Sequence, residues 1–145
     1  MRSKNYLLII SYSKKFKVLG LEKGDRIGIL LFNSIEYLTL MYAAMYAGIV
    51  PVNINARYKA KELHYVMHDS GCKVLFTSSD SDEVTNFSNL ISSVYDSPEG
   101  KPQNLSDVYI IGGSKDARFK GFQDFEEIEV NNVGKWHYAI KLISP

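Results

Sequence analysis

The chain has 145 residues, 46% of them hydrophobic and 23% charged, a balance that carries a packed core and excludes a disordered chain. Seventeen basic residues against 16 acidic leave a formal charge of +1; this argues against a nucleic-acid partner, whose footprint is a strong local excess of Lys and Arg. The single Cys72 excludes an intramolecular disulfide framework and fits a reducing, cytoplasmic compartment.

The first segment, Tyr6 to Val18, reads as a helix with Lys14, Lys15 and Lys17 on its solvent side. Its apolar start is too short for a secretory signal. The turn-like Lys23-Gly24-Asp25 then leads into Ile27-Gly28-Ile29-Leu30-Leu31-Phe32, a continuous apolar run that suits a strand buried on both faces. Asn33 offers an N-cap oxygen, with Glu36 three residues on in the capping-box position. Ser34 to Ala47 is rich in Leu, Met and Ala and stops at Gly48. The apolar stretch from Ile35 to Val52 approaches membrane-spanning length. Gly48, Pro51, Thr39 and the tyrosines within it favour a buried core helix over a transmembrane segment.

Ile49, Val50 and Val52 read as a second strand, which Pro51 places near a strand end or sheet edge. Lys59 to Ser70 sets Leu63, Val66 and Met67 on one helical face, ended by Gly71. Cys72 to Thr77 is a third strand. Val84, Phe87, Ile91 and Val94 recur at helical spacing. Asp96 to Ser106 is a loop, and Val108 to Ile111 a fourth strand closed by Gly112-Gly113. Beyond residue 113 no period is clear, although Phe119, Phe122 and Phe125 are unusually aromatic for a loop. Strands alternating with helices over short connections imply parallel pairing with right-handed crossovers. The fold class is therefore α/β, a doubly wound parallel sheet with flanking helices.

The candidate chemistry is sparse. Gly112-Gly113-Ser114-Lys115 lacks the spacing of a Walker A loop and reads as a strand-ending turn. His64 and His68 stand at i and i+4, a spacing that can grip a metal, but Tyr65 follows the first His where zinc peptidases carry Glu; a solvated helix edge and no metal site is the reading. Cys72 reads as a small core residue rather than a nucleophile, because a reactive thiol needs exposure and a nearby base. Glu126, Glu127 and Glu129 read as a solvated acidic face. No Gly-x-Ser-x-Gly elbow occurs, the strands do not end in the acidic residues of a phospho-acceptor, and no catalytic residue is assigned. Arg57 follows the second strand through Asn53-Ile54-Asn55-Ala56. Ligands of open parallel sheets bind beyond the carboxyl ends of the strands, so a guanidinium there is placed to meet an anion. A surface Arg or a helix-entry ion pair is the competing reading.

The order of residues adds more than their types. Leu19 to Leu30, Asn33-Ser34-Ile35-Glu36-Tyr37, Ala47 to Asn53, Asn55-Ala56-Arg57-Tyr58, Glu62-Leu63 and Asp69 to Leu75 form a series. It resembles the early part of acyl-CoA synthetases in the adenylate-forming, AMP-binding superfamily. The match is best over residues 12–78, with a looser echo at 108–113 and 125–128. The resemblance implies adenylation of a carboxylic acid, including fatty acids, with ATP and Mg, followed by capture as a CoA thioester. It also implies that Arg57 contacts a phosphate of the CoA nucleotide, with Ala56 standing where Pro is common. Lys59 occupies a place where relatives carry a capping Thr or Ser. The family's Ser/Thr/Gly-rich loop ending in Pro-Lys-Gly is not found in these residues.

The expectation is therefore an incomplete N-terminal α/β domain over 1–145, inactive alone, with the remainder of the enzyme as its missing partner. Phe119, Phe122, Phe125 and Trp136 should then be partly exposed. The alternative is a non-catalytic α/β binding or regulatory module; an independent small enzyme has the least support.

Overall fold

A computed structural model of the chain describes residues 3–78, 86–111 and 123–130. The elements run α1 (Ser3–Val18), β1 (Arg26–Leu30), α2 (Ile35–Ala47), β2 (Val50–Asn53), α3 (Ala60–Ser70), β3 (Val74–Ser78), α4 (Phe87–Asp96), β4 (Asp107–Ile111) and β5 (Gln123–Asp124), followed by a 3-10 turn at Phe125–Glu127. The five strands form one sheet in the order β2-β1-β3-β4-β5. Every pairing is parallel. This is the α/β architecture that the alternation implies. Residues 112–115, read as a strand-ending turn, and Val84, Phe119, Phe122 and Trp136 lie outside the described residues.

Residues of each central strand alternate between two apolar layers, as the pleat requires. Ile27 and Ile29 of β1, Phe76 of β3 and Tyr109 of β4 face α1 and α2, where Phe16, Leu40, Ala43 and Ala44 meet them. Leu30, Leu75 and Val108 face the opposite layer, built from Leu63 and Met67 of α3 and Phe87, Ile91 and Val94 of α4. Gly28 sits where that layer comes closest. A Cβ there would stand 2.9 Å from Ile54 Cδ1 and 3.0 Å from Leu75 Cδ1, so a larger residue would push the tips of these two side chains aside.

Local chemistry sets the element ends. The N-cap of α2 is Ser34, whose Oγ accepts the Tyr37 N–H at 3.2 Å. This corrects the assignment of the cap to Asn33, which remains in the exposed exit of β1. Gly48 closes α2 at φ 75°, and a Cβ on it would meet Lys23 Cγ at 2.9 Å. Lys59 makes no side-chain cap for α3, but the Glu62 carboxylate accepts the Lys59 main-chain N–H at 3.2 Å, which is half of a capping box. At the entry to β1, Asp25 Oδ2 accepts the Glu22 N–H at 2.8 Å and the Lys73 Nζ at 3.3 Å. The main-chain bond first, then the Lys73 cation, holds the Asp25 carboxyl below its ordinary range.

The last described segment overturns two expectations. Phe125 is fully buried rather than partly exposed. Its ring meets Tyr12 edge-on at 5.0 Å, Phe76 edge-on at 5.1 Å and Phe16 at 5.9 Å. Nor do Lys14 and Lys15 lie on a solvent side: both are buried, whereas Lys17 is exposed. The reason is that α1 is covered twice, by α2 and by the turn after β5. Lys15 Nζ donates to the Phe125 carbonyl at 3.1 Å, approaches Glu126 Oε2 at 3.6 Å and stands 5.0 Å from the centre of the Phe125 ring. Its aliphatic stem is buried while its charge is satisfied. β5 itself is a strand of two residues, too short for any period to register.

Phe125 is thus the plug between α1 and the sheet. Phe125→Ala is expected to lower stability by about 3–5 kcal/mol, as large core truncations do, read as a fall in the urea midpoint. A control at exposed Leu7 should move it by less than about 0.5 kcal/mol. Equal midpoints for Phe125→Ala and the parent chain would refute the plug.

Candidate functional site

The β1–β2 pairing continues one residue past β2: the Ile54 N–H donates to the Ile29 carbonyl at 3.0 Å. Ile54 is buried and anchors the loop. Asn55 then folds the chain back. Its side-chain Oδ1 accepts the Arg57 N–H at 2.9 Å and its carbonyl accepts the Tyr58 N–H at 3.1 Å, an Asx-type turn that a short amide side chain favours. α3 begins directly after, at Ala60. Arg57 is therefore fixed in main-chain position while its side chain stays exposed.

This loop and the exit of β1 enclose a cleft of about 490 Å³ at the carboxyl ends of the two strands. Among the described residues Arg57 is the one cation in its lining; Asn33, Asn53, Asn55, Tyr37 and Tyr58 supply amides and phenols, and no described carboxylate contributes. The set can donate hydrogen bonds and carries net positive charge. It suits an anion with polar substituents, and a guanidinium fork suits phosphate. The direction of winding reverses between β1 and β3, where ligands of such sheets usually sit. The cleft lies one strand away, over β1 and β2. At the exit of β3 the Thr77 and Ser78 hydroxyls are buried without a hydrogen-bond partner among the described residues; the residues that follow, 79–85, are outside them.

The remaining sequence candidates do not converge on this cleft. His64 is half-buried and His68 exposed on the flank of α3, with rings stacked at 6.0 Å. Among the described residues no group of three or more His, Cys, Asp or Glu is placed to hold a metal ion. Cys72 is buried. Burial pushes its thiol up, and the opposing pulls of Ser70, whose Oγ lies 3.0 Å from the sulfur, and of Arg26 are smaller. Glu126, Glu127 and Glu129 are exposed, as a solvated acidic face would be, and Glu126 also pairs with Lys15. Burial likewise raises the Tyr12 phenol, with Glu126 adding in the same direction. No described helix is long and apolar enough to cross a membrane.

Arg57 was legible from its place after the second strand. Tyr37 and Tyr58 were not singled out, because a tyrosine beside a helix start carries no signal of its own. Their positions at the two strand exits are what place them in the lining.

Comparison with known proteins then decides the lineage. A profile of AMP-binding enzymes matches residues 11–131. The chain belongs to the AMP-binding enzyme family. It is 46% identical over 57 residues to the long-chain-fatty-acid–CoA ligase FadD13 of Mycobacterium tuberculosis, which covers 39% of this chain and 11% of that protein. Against the long-chain-fatty-acid–CoA ligase of Escherichia coli O6:H1 it is 32% identical over 78 residues, covering 54% of this chain and 13% of the relative. In three dimensions it resembles the crystal structure of the N-terminal domain of FACL13 from Mycobacterium tuberculosis, with a TM-score of 0.69 and 25% identity over 91% of this chain and 30% of that one. The anthranilate–CoA ligase AuaEII shares the fold, with a TM-score of 0.68 at 24% identity over 83% of this chain and 21% of the other. The matched segments thus span 11–13% of the length of these two curated ligases. The chain is a homologue of part of the acid–CoA ligases, and the expected family is shown.

The buried, upshifted thiol carries a direct expectation. In the native chain Cys72 should react with iodoacetamide at neutral pH at least about tenfold more slowly than in urea-unfolded chain, since the thiolate is the reacting form. Equal rates, followed by mass spectrometry, would show an accessible thiolate.

Proposed function

We propose that the chain forms the opening α/β layer of an acid–CoA ligase and that its cleft over β1 and β2 receives a phosphate of the CoA nucleotide. The single observation behind this reading is Arg57, presented by the Asn55 turn in a cleft whose described lining holds no carboxylate. The curated relatives are long-chain-fatty-acid–CoA ligases, which supports a carboxylic acid as the substrate class. The lining fits an anionic phosphate. It does not fit Mg, a hard cation that is held through carboxylates.

In this reading the residues act by binding and orientation. The Arg57 guanidinium neutralises phosphate charge in a bidentate fork. Asn33, Asn53 and the two phenols donate to or accept from polar atoms of the same ligand. The energy they supply holds the CoA end of the reaction in place, which lowers the entropic part of the barrier to thiol attack. Adenylation needs further donors around the ATP phosphates, of the kind that the Pro-Lys-Gly loop gives the family, and these residues contain no such loop.

Calorimetric titration of the chain with CoA tests the subsite. Arg57→Ala should weaken binding by about ten- to a hundredfold, the equivalent of a hydrogen bond to a charged group worth about 1.5–3 kcal/mol. Identical binding by Arg57→Ala, or no binding by the parent chain, overturns the assignment. A separate assay concerns catalysis: the 145-residue chain should give no ATP–pyrophosphate exchange with long-chain or aromatic carboxylates. Exchange above a no-enzyme blank would mean that these residues already hold a complete adenylating centre.

A further inference from the structure

The strongest cluster of ligating side chains outside the cleft is on α3. His64 and His68 are four residues apart, so they share one face of the helix on successive turns. Their rings lie within 10° of parallel with centroids 6.0 Å apart. His64 keeps 17% of its side-chain surface exposed, and its Nδ1 lies 3.4 Å from Glu99 Oε2, which belongs to the loop after α4. His68 is exposed, so its ring can turn about its two side-chain torsions without disturbing the core.

From these contacts we propose that His64 and His68 form a chelate for one divalent transition-metal ion, with Glu99 as the group that orients His64. A carboxylate at Nδ1 favours the proton on that nitrogen and leaves Nε2 as the ring's lone-pair donor. The same carboxylate–imidazole pairing is the usual outer shell of a metal-bound histidine, and it fixes the ring's orientation. The second imidazole completes a bite across one helical turn, the two-histidine element that recurs in helical zinc sites.

No third protein ligand is placed nearby among the described residues, so water fills the other positions. That makes the site open and of moderate strength. Imidazole nitrogen selects zinc, nickel and copper over magnesium and calcium, so the site is chemically separate from any Mg bound with ATP. Tyr65 stands where a zinc peptidase would carry its base, and no hydrolytic role is assigned. The ion would pin two turns of the helix that begins at Ala60, directly after the Arg57 loop.

Untagged chain titrated with Ni²⁺ in a non-chelating buffer tests the site by calorimetry. One ion should bind per chain. His64→Ala and His68→Ala should each weaken binding by at least about tenfold, as should Glu99→Gln, since outer-shell partners are typically worth about 10–100-fold in affinity. Ni²⁺ should also raise the melting temperature of the parent chain and leave that of His68→Ala unmoved. Far-UV circular dichroism of the metal-free variants confirms that they fold. His137→Ala, outside the described residues, should bind as the parent does. Absence of saturable binding overturns the proposal. So does affinity that survives His68→Ala, or that is lost only on removal of His137.

Discussion

The structure rests on the burial of β3 between two apolar layers. All five of its residues are buried, and its main chain is paired on both sides, to β1 and to β4. In a parallel sheet neither face can be left to water, so each side chain of β3 must find a helix layer. Phe76 goes to α1 and α2, and Leu75 to α3 and α4. At roughly 25 cal/mol per Å² of apolar surface removed from water, this two-sided burial outweighs any local helix or strand preference. It also aligns the strands. With β3 and β1 in register, the exits of β1 and β2 open on one rim, and that rim is the Arg57 cleft.

Where burial and chain order coincide, the elements could be read before the coordinates. Continuous apolar runs marked β1 and β3, the 3.6-residue spacing of Leu63 and Met67 marked α3, and Gly48 and Gly71 marked helix ends. Arg57 was legible for a topological reason: it follows a strand whose partner order implied an open sheet. What escaped were features decided by residues distant in sequence. Asn33 and Ser34 are equally good caps by type, and only the path of the chain out of β1 chooses Ser34. Lys15 looks like a solvent-facing charge until a carbonyl and an aromatic ring from 110 residues further on close over it. β5 is called into the sheet by its neighbour β4 rather than by its own composition.

In the proposed reading a fold of this kind contributes little chemistry of its own. One guanidinium, several amides and two phenols in the described lining would cradle an anion, without supplying a nucleophile or a proton relay. Electrostatic positioning of this sort depends on the rim being rigid. Ile54, sealed against Gly28 and hydrogen-bonded to β1, gives the loop that rigidity. Sequence likeness to FadD13 covers 39% of the chain, while likeness of fold to the FACL13 domain extends over 91% of it.

The lysine tether between α1 and the turn after β5 spans 110 positions of sequence, and this bears on the order of events at the ribosome. Polypeptide emerges at about 5–20 residues per second, so the first helix waits on the order of ten seconds for the ring that caps it. During that interval Tyr12 and Phe16 lack the part of their cover that Phe125 supplies. A helix made well before its cap is thus sealed late, and its aromatic side is adhesive in the meantime.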